Sequence, residues 1–329
     1  MEFQGFTFSV YRLTLEARER IELTRLNRGI TLRGAFGTVF RRLVCHDLKA
    51  QCGPSCPLHP SCPYGFIFSP TVPPDAERFR LNRDIPRPFV IKPPLDGDGA
   101  YAPGNHLCFD LVVVGRAQDF LPYFIVTFEE LGRQGIGIRR GRYKLGSLES
   151  LGRDGLWHKV FRHEDRMVTP PAESLTGGVS GEHFDDLSSL TLRFLPPVLL
   201  KDGGRWVKPE FGPLIKRLRD RVNALSYFYC GKPMEMDFKD LGEKADKISM
   251  IRESLRWTEE KRFSKHRDLQ HVLKGFIGEV EFGGDVAPFM PLLRLGEVLH
   301  VGKATAFGQG WFKINSPQRA QGTRGYLSG

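Results

Sequence analysis

Two glycine-rich basic turns, at residues 132–144 and 302–313, constrain the fold of this chain more than any other feature. Each turn follows a segment with helical periodicity, and the second runs directly into an alternating strand at residues 310–314. A strand, a helix and two further strands precede that helical segment in each half. This repeated succession predicts two β-α-β-β-α-β units, and hence an α+β protein with two tandem ferredoxin-like domains.

In the first half, residues 6–15 alternate between apolar and polar positions with one slip, which predicts the first strand. From Thr31 onward, apolar residues recur with the 3.6-residue period of a helix. The other elements predicted here are strands at 64–68 and 106–115 and a helix over 117–131 that is stopped by Gly132.

In the second half, residues 187–194 form a predicted strand that Pro196 and Pro197 break. Pro209 starts a helix with one continuous apolar face. The remaining predicted elements are strands around 254–257 and over 276–282, a helix over 289–299 and the strand at 310–314.

The domain boundaries predicted from this pattern are residues 1–150 for the N-terminal domain and 183–315 for the C-terminal domain. A cysteine-rich insertion at 45–62 belongs to the first domain. The polar, glycine-rich residues 151–182 are interpreted as a linker, and residues 316–329 as a flexible tail.

The chain of 329 residues carries a formal net charge of +10, which favours an acidic partner, either nucleic acid or an anionic membrane surface. No apolar run reaches the roughly 18 residues that a membrane helix needs, and the first residues lack a signal-peptide pattern. We therefore expect a cytoplasmic protein with no membrane partner. Charge alone is weak evidence for an acidic partner, because many equally basic cytosolic proteins bind no nucleic acid.

The second turn holds three glycines around one lysine: Gly302, Lys303, Gly308 and Gly310. Glycine accepts positive φ and lets backbone N–H groups approach a ligand, and the lysine indicates an anionic ligand. A nucleotide P-loop is excluded, because Gly296 lies one residue too early and Ala304 replaces the hydroxyl that would hold magnesium. The backbone of a polymer is the better candidate for the anion.

Four cysteines lie close together in a loop rich in proline and glycine: Cys45, Cys52, Cys56 and Cys62. This density in an intracellular chain favours a metal site over disulfides. Four thiolates suit a structural zinc ion, although an iron–sulfur cluster also fits the spacing and His59 could replace one cysteine. The alternative is four unligated thiols. Cys108 and Cys230 lie in apolar segments and are expected in the core.

Four motifs span most of the chain in a fixed order. They are Leu32-Arg33-Gly34-Ala35-Phe36-Gly37, Cys62-Pro63-Tyr64 with Ile67-Phe68, Gly135-Ile136-Gly137 with Arg140-Gly141-Arg142, and Val301-Gly302-Lys303 with Phe307-Gly308-Gln309-Gly310. Together they resemble the CRISPR precursor-RNA processing endoribonucleases of the RAMP superfamily, whose domains are RRM-like. The resemblance implies CRISPR repeat RNA and crRNA as partners, with other CRISPR effector subunits as a further expectation.

The resemblance also implies one metal-independent cut, in which a 2′-OH attacks the adjacent phosphate and leaves a 2′,3′-cyclic phosphate and a 5′-OH. Such a reaction needs a base, an acid and a cation for the charged phosphorane. The family places a catalytic histidine near the end of the first helix, where His46 lies. Its alternative role is to interact with the helix dipole. Lys303 is the candidate cation, which holds the RNA or assists the cut.

The candidate RNA-binding residues come from the first motif, both turns and a basic segment before a late strand. They are Arg33, Arg139, Arg140, Arg142, Lys144, His266, Gly302, Gly308 and Gly310. A second basic face is expected on the helix after Pro209, from Lys216, Arg217, Arg219 and Arg221. Phosphate contacts would supply affinity that falls with salt. The alternatives are solvated charged faces and, for the whole chain, a catalytically silent RAMP subunit that binds crRNA.

Overall fold

The computed structural model describes residues 3–24, 28–72, 85–95, 97–177, 187–262 and 271–315. The chain divides into two compact units. The N-terminal unit comprises Gly5–Thr176 and Ala224–Pro233, and the C-terminal unit comprises Met1–Gln4, Gly177–Asn223 and Met234–Gly329. Among the described helices, none combines the length and the apolar character that crossing a membrane requires.

The described residues of the first part of the chain form eight strands and three α-helices. They are β1 (Phe3–Ala17), β2 (Ile21–Glu22), α1 (Arg28–Val44), α2 (Pro63–Ile67), β3 (Phe89–Lys92), β4 (Ala100–Tyr101), β5 (His106–Val114), α3 (Leu121–Gln134), β6 (Tyr143–Leu151), β7 (Trp157–Arg162) and β8 (Leu175–Gly177). The main sheet has the order β3-β5-β1-β6-β7, with β8 paired to β1. Its first four strands have the order and antiparallel pairing of a ferredoxin-like unit.

The core of the N-terminal unit is a cluster of phenylalanine rings between its sheet and its helices. Phe36 of α1 lies with its ring centroid 5.4 Å from Phe40, 5.1 Å from Phe124 and 5.1 Å from Phe128. The apolar residues that recur every 3.6 positions along α1 therefore form the side of the helix that faces this cluster. Gly37 lets the Phe68 ring lie directly on α1, because a Cβ at that position would overlap the ring.

In the second part, the residues that the structure describes form six strands and three α-helices. They are β9 (Ser189–Val198), β10 (Leu200–Asp202), β11 (Arg205–Val207), α4 (Phe211–Cys230), α5 (Phe238–Asp246), β12 (Ser249–Arg262), β13 (His271–Gly283), α6 (Met290–Leu299) and β14 (Phe312–Asn315). The sheet order β12-β13-β9-β14 is again ferredoxin-like. Gly296 allows α6 to approach α4 and the sheet, since a Cβ there would lie 2.6 Å from Leu218 and 2.8 Å from Phe312. The predicted α+β fold with two tandem ferredoxin-like domains is confirmed.

The strand predicted at residues 64–68 is wrong, because these residues form helix α2. Pro63 occupies the first helical position, where a missing N–H costs nothing. The rings of Tyr64 and Phe68 stack at 5.0 Å across one helical turn. The aromatic residues that had indicated a strand therefore pack equally well on a helix.

The strand break predicted at Pro196 and Pro197 is also wrong, because β9 continues to Val198. The pairing of β9 with β13 shifts register between Phe194 and Val198, so the two prolines fall in an irregularity. A proline has no N–H to donate, and such a position does not require one.

The N-terminal unit extends past the predicted boundary at residue 150, and the predicted linker is not a linker throughout. β7 and β8 lie inside residues 151–182, and they add to the first sheet by pairing with β6 and β1. Turn residues between these short strands had suggested a linker. The predicted tail at 316–329 lies outside the described residues.

Two smaller expectations also change. Gly132 does not stop α3, which continues to Gln134 and ends at Gly135 with φ of 78°. Gly132 instead allows β6 to approach, because a Cβ there would lie 2.5 Å from the Tyr143 carbonyl oxygen. Cys108 is exposed on β5 instead of buried in the core.

Candidate nucleic-acid interface

The second glycine-rich turn, which joins α6 to β14, is folded by a series of left-handed backbone conformations. Positive φ angles occur at His300 (61°), Gly302 (84°), Ala304 (60°), Gly308 (81°) and Gly310 (70°). At Gly310 a Cβ would also overlap the Val301 carbonyl oxygen, and at Gly302 it would lie 2.5 Å from the Leu199 carbonyl oxygen. Glycine is thus required at both positions for conformation and for close approach.

The amide groups of this turn are largely used inside the protein. Gly308 donates to the Thr305 carbonyl at 2.9 Å, and Gly310 donates to the Pro197 carbonyl at 2.9 Å. The Lys303 amide donates to the Leu199 carbonyl at 3.0 Å. The glycines therefore shape the turn, and the Gly308 and Gly310 amides are already hydrogen-bonded instead of pointing at a ligand.

The Lys303 side chain is exposed at the tip of this turn. Within the described part of the chain it forms no ion pair with a carboxylate. The hydrogen bond from the Lys303 amide to the Leu199 carbonyl holds the backbone of Lys303, while the ammonium group extends into solvent. Such a cation can meet an anion without first giving up a partner.

Below the turn, two buried side chains hold its ends in place. Glu297 accepts a hydrogen bond from the Ile314 amide at 2.8 Å and forms an ion pair with Arg294 at 2.9 Å. His300 is fully buried, contacts the Gln309 carbonyl at 3.2 Å and stacks on Trp311 with an interplanar angle of 7°. Sequence reasoning missed Glu297, whose only signal was a lone acidic residue in an apolar helix.

The first glycine-rich turn, which joins α3 to β6, docks against the segment that connects β1 to β2. A Cβ at Gly137 or at Gly141 would overlap the carbonyl oxygens of Glu22 and Arg20, respectively. The Ile138 amide donates to the Glu22 carbonyl at 3.0 Å, and Arg140 adopts a positive φ of 52°. This turn is thus built by the same means as the second one.

Most cations of the first turn are paired with carboxylates from elsewhere in the N-terminal unit. Arg142 binds Glu19 at 2.6 Å, Arg139 lies 3.4 Å from Glu22, and Lys144 binds Glu164 at 2.8 Å. Hydrogen bonding from Arg142 lowers the pKa of Glu19 below its ordinary value. Lys144 has the same effect on the pKa of Glu164. Of the predicted RNA-binding arginines here, Arg140 is exposed and forms no ion pair with any described residue.

The other predicted basic residues are also held by the protein. Arg33 lies on α1 with its guanidinium 3.8 Å from the centroid of the Phe68 ring. The face expected on α4 is not a free basic surface, because its four cations have acidic or carbonyl partners. These pairs are Lys216 with Asp246, Arg217 and Arg219 with Asp220, and Arg221 with the Leu299 carbonyl.

His46 lies two residues beyond the end of α1, in the exposed loop that follows Val44. His46 therefore lies near the end of the first helix, as expected, but outside it. Arg41 fixes this loop by donating to the carbonyls of Leu48 and Ala50 at 3.2 Å and 2.5 Å. Sequence reasoning missed this role of Arg41. His46 and Lys303 belong to different units.

The four cysteines of the loop are half-buried free thiols. Burial raises the pKa of Cys52, and Cys45 contacts the Asp47 carbonyl at 3.2 Å. His59 is buried, with its ring nitrogens facing the Ser69 carbonyl at 2.9 Å and the Thr71 hydroxyl at 3.4 Å. Across the described ranges, no three His, Cys, Asp or Glu side chains are grouped so as to hold a metal ion.

The described arrangement of the cysteine loop thus gives no support to the expected zinc site, which stays a prediction. Zinc analysis of the purified protein would test it, with Cys52→Ser as the comparison. Of the remaining candidates, His266 lies outside the described residues. Tyr64 packs between Phe40 and Phe68, and burial raises the pKa of its hydroxyl.

Comparisons with known proteins agree with this architecture. Residues 6–173, half of the chain, match the family model AF_1859_N, described as an N-terminal domain. Residues 192–312 match the model described as CRISPR-associated endoribonuclease Cas6. An uncharacterised protein of Archaeoglobus fulgidus is 24% identical over 306 residues, which cover 88% of this chain and 91% of that protein.

Two solved structures share the fold. The Cas6 (TTHB231) product complex, whose protein is from Thermus thermophilus, has a TM-score of 0.53 at 16% identity and covers 94% of this chain and 99% of that chain. A partial Cas6-RT-Cas1–Cas2 complex has a TM-score of 0.57 at 15% identity, covering 97% of this chain and 48% of the other. The predicted family is confirmed: the chain belongs to the family of the AF_1859 N-terminal domain and carries a Cas6 domain, which makes it a Cas6-type CRISPR-associated processing protein.

Proposed function

We propose that this protein is a metal-independent endoribonuclease that binds CRISPR repeat RNA and cuts precursor crRNA. The 2′-OH attacks the adjacent phosphorus, the bond to the 5′ oxygen breaks, and the products carry a 2′,3′-cyclic phosphate and a 5′-OH. The observation that carries this proposal is the exposed, unpaired Lys303 on a turn whose backbone is fixed by hydrogen bonds. A cation without a competing carboxylate can stabilise the charge that develops on a phosphorane.

In this proposal His46 accepts the proton of the 2′-OH, water gives a proton to the leaving 5′ oxygen, and Lys303 binds the phosphate and offsets the charge that develops on it. Each such contribution is worth about 10²- to 10⁴-fold in rate. His46 is exposed in a loop that Arg41 holds, so it is accessible to RNA and restricted in position. Arg140 would add a phosphate contact from the first turn.

The names of the structural relatives support the choice of partners. One relative is a Cas6 product complex, and another is a complex of Cas6 with a reverse transcriptase, Cas1 and Cas2. We propose by analogy that this chain binds crRNA and contacts other CRISPR proteins.

A second candidate function is a catalytically silent subunit that binds crRNA without cutting it. The observation that favours it is the burial of His300, the histidine next to the second turn in sequence. His300 stacks on Trp311 inside the protein, so it cannot exchange protons with an RNA bound outside. Catalysis would then depend on His46, in the exposed loop that follows α1.

The test is cleavage of a panel of 5′-labelled CRISPR repeat RNAs, both hairpin-forming and unstructured, in buffer with EDTA. The expected product of the wild-type protein has a 2′,3′-cyclic phosphate, which acid opens. His46→Ala and Lys303→Ala should each slow the reaction about 100-fold. Matched controls are His106→Ala and Lys313→Ala, which remove an exposed histidine of β5 and an exposed lysine of β14.

The outcomes separate the two candidates. Binding without product would support the silent subunit and contradict the enzyme. Cleavage by His46→Ala at the wild-type rate would show that another residue is the base. Absence of both binding and product over the whole panel would contradict both functions.

A further inference from the structure

An exposed aromatic surface lies on the C-terminal unit and plays no part in the proposed cleavage. It consists of Trp206 on the β10–β11 hairpin, Trp257 on β12, Phe276 and Lys274 on β13, and Lys201 on β10. We call these five residues the aromatic–lysine surface. Trp206 and Trp257 are 43% and 45% exposed, respectively.

The five side chains form one continuous surface. Lys201 and Trp206 are cross-strand partners in the hairpin, and the Lys201 Nζ lies 4.5 Å from the centre of the Trp206 ring. The Nζ of Lys274 lies 5.6 Å from that same ring. Lys274 and Phe276 are two residues apart on one face of β13, and Phe276 meets Trp257 edge to face at 5.0 Å. A ligand that covers one indole therefore comes within reach of the other.

The exposure of two indoles on one surface points to a ligand. A tryptophan side chain gains more from burial than almost any other residue, and exposed tryptophans are enriched where proteins bind partners. The other two tryptophans of the chain are less exposed: Trp311 is 9% exposed and stacks on His300, and Trp157 is half-buried, with Arg12 4.2 Å from the centre of its ring. Trp206 and Trp257 have kept much of their ring area open to solvent.

The two lysines set the sign of the ligand's charge. Neither Lys201 nor Lys274 forms an ion pair with a carboxylate among the described side chains, although Asp202 follows Lys201 on β10 and Glu259 lies opposite Lys274 in the β12–β13 pairing. Each ammonium instead rests against the Trp206 ring. Contacts of this kind are weak at exposed sites and are easily exchanged for a phosphate.

We propose that the aromatic–lysine surface binds unpaired nucleotides of RNA, with Trp206 and Trp257 stacking on bases and Lys201 and Lys274 binding phosphates. Exposed aromatic rings interleaved with cations are the usual means of binding single-stranded nucleic acid. An apolar protein surface is less well matched, because it would bury Lys201 and Lys274 without an anion to pair with them. The proposal rests on the proposed function in that the RNA is the repeat or its flanking spacer.

The test uses the full chain, a fluorescein-labelled oligouridylate of about 15 nucleotides and an abasic ribose-phosphate oligomer of equal length. Fluorescence anisotropy in EDTA should show that the wild-type protein prefers the oligouridylate. Trp206→Ala with Trp257→Ala should weaken oligouridylate binding about 10-fold or more and leave the abasic oligomer within about 2-fold. Trp206→Phe with Trp257→Phe should retain most of the affinity, because a phenyl ring still stacks.

Two controls exclude trivial explanations. Tyr123→Ala removes another exposed aromatic side chain, on α3, and should not change the affinity for either oligomer. Thermal unfolding should show that the tryptophan variants stay folded, as expected for exposed positions.

Equal binding of oligouridylate and abasic oligomer by the wild-type protein would overturn the inference. So would an unchanged affinity in the double alanine variant. If the double alanine variant sediments differently from the wild-type protein but binds RNA with unchanged affinity, the surface instead binds a second copy of the protein. Repeat cleavage run in parallel separates the proposals: cleavage with unaltered oligouridylate binding refutes only this surface, and stacking without cleavage refutes only the nuclease.

Discussion

The two glycine-rich turns occupy equivalent places in two ferredoxin-like units, yet they differ in what their cations do. In the first turn, Arg139 and Arg142 are paired with Glu22 and Glu19. In the second turn, Lys303 is exposed and has no carboxylate partner among the described residues. The turn that is richer in basic residues is therefore the one whose cations are mostly paired, with Arg140 as its exposed arginine that forms no ion pair among the described residues. The number of arginines in a segment is a poor measure of its positive potential.

The cause of this difference is the segment against which each turn docks. The first turn packs on the β1–β2 connection and on β2 itself, where Glu19 and Glu22 lie beside the backbone of the turn. The second turn packs on residues 195–200, Leu-Pro-Pro-Val-Leu-Leu, which carry no charge. The carboxylates beside the first turn pair with Arg139 and Arg142. The uncharged segment beside the second turn offers Lys303 no carboxylate.

The largest expected effect comes from Gly310→Ala, which tests whether the second turn depends on its backbone. The new Cβ would overlap the Val301 carbonyl in a left-handed conformation, so we expect stability to fall by about 3 kcal/mol or more. The control is Gly203→Ala, which also has positive φ but open space, and should cost only about 1 kcal/mol. Urea unfolding followed by circular dichroism measures both, and equal costs would show that the close approach is unimportant.

The second effect tests the contrast in available charge. Lys303→Ala should weaken cleavage about 100-fold, because it removes an unpaired cation. Arg142→Ala should change cleavage and RNA affinity by less than about 3-fold, since the arginine is already paired with Glu19. Single-turnover cleavage and filter binding provide the measurements. A larger loss for Arg142→Ala than for Lys303→Ala would reverse the comparison.

The third effect concerns the anchor of the first turn, Tyr143, whose buried hydroxyl donates to the Phe128 carbonyl at 2.8 Å. Tyr143→Phe should cost about 1 kcal/mol at neutral pH. Burial raises the pKa of Tyr143 well above its ordinary value. Its contribution is therefore complete below the unfolded pKa of about 10 and is lost as pH rises through the folded pKa.

The measurement is the urea midpoint between pH 8 and 11. The urea midpoint of Tyr143→Phe should fall less steeply at alkaline pH than that of the wild type. Part of the fall should persist, because burial also raises the pKa of Tyr11 and Tyr64. An identical pH profile for wild type and variant would mean that the hydroxyl is not buried in solution.

The smallest effect is a gain. Glu19→Gln should release Arg142 and raise RNA affinity about 2- to 3-fold, with the salt slope steeper by about one charge. Because the pKa of Glu19 is lowered, the wild-type pair persists as pH falls until it passes that lowered pKa. Asp154→Asn, which alters an exposed carboxylate paired with His158, is the control. Unchanged affinity in Glu19→Gln would show that RNA does not reach the first turn.

Much of the fold was predictable because its signals are local. Apolar periodicity located β1, α1, β5, α4, α6 and β14 to within a few residues, and the order of elements predicted both ferredoxin-like units. The errors arose where contacts between distant residues override local pattern. Examples are the aromatic residues of α2, the prolines that fall in an irregularity of β9, and β7 and β8, whose turn-rich surroundings resemble a linker.

The sequence predicted where the two glycine-rich turns lie but not which of their charged side chains are paired. Lys303 and Arg140 lie exposed on the predicted turns, whereas Arg33, Arg142 and Lys144 have partners within the protein. The exposure of Trp206 and Trp257 was not predictable from the sequence, since a tryptophan in a short strand is usually a core residue.

By itself, the sequence determined the repeated order of strands and helices and the family to which the chain belongs, because both are written in short motifs and periodicities. Only the tertiary structure decided which cations are free, which amides are satisfied and which aromatic rings stay exposed. Those properties depend on partners far apart in the chain, as Glu19 and Arg142 are. No local pattern encodes such a pairing, because it forms only when the first turn docks on the segment after β1.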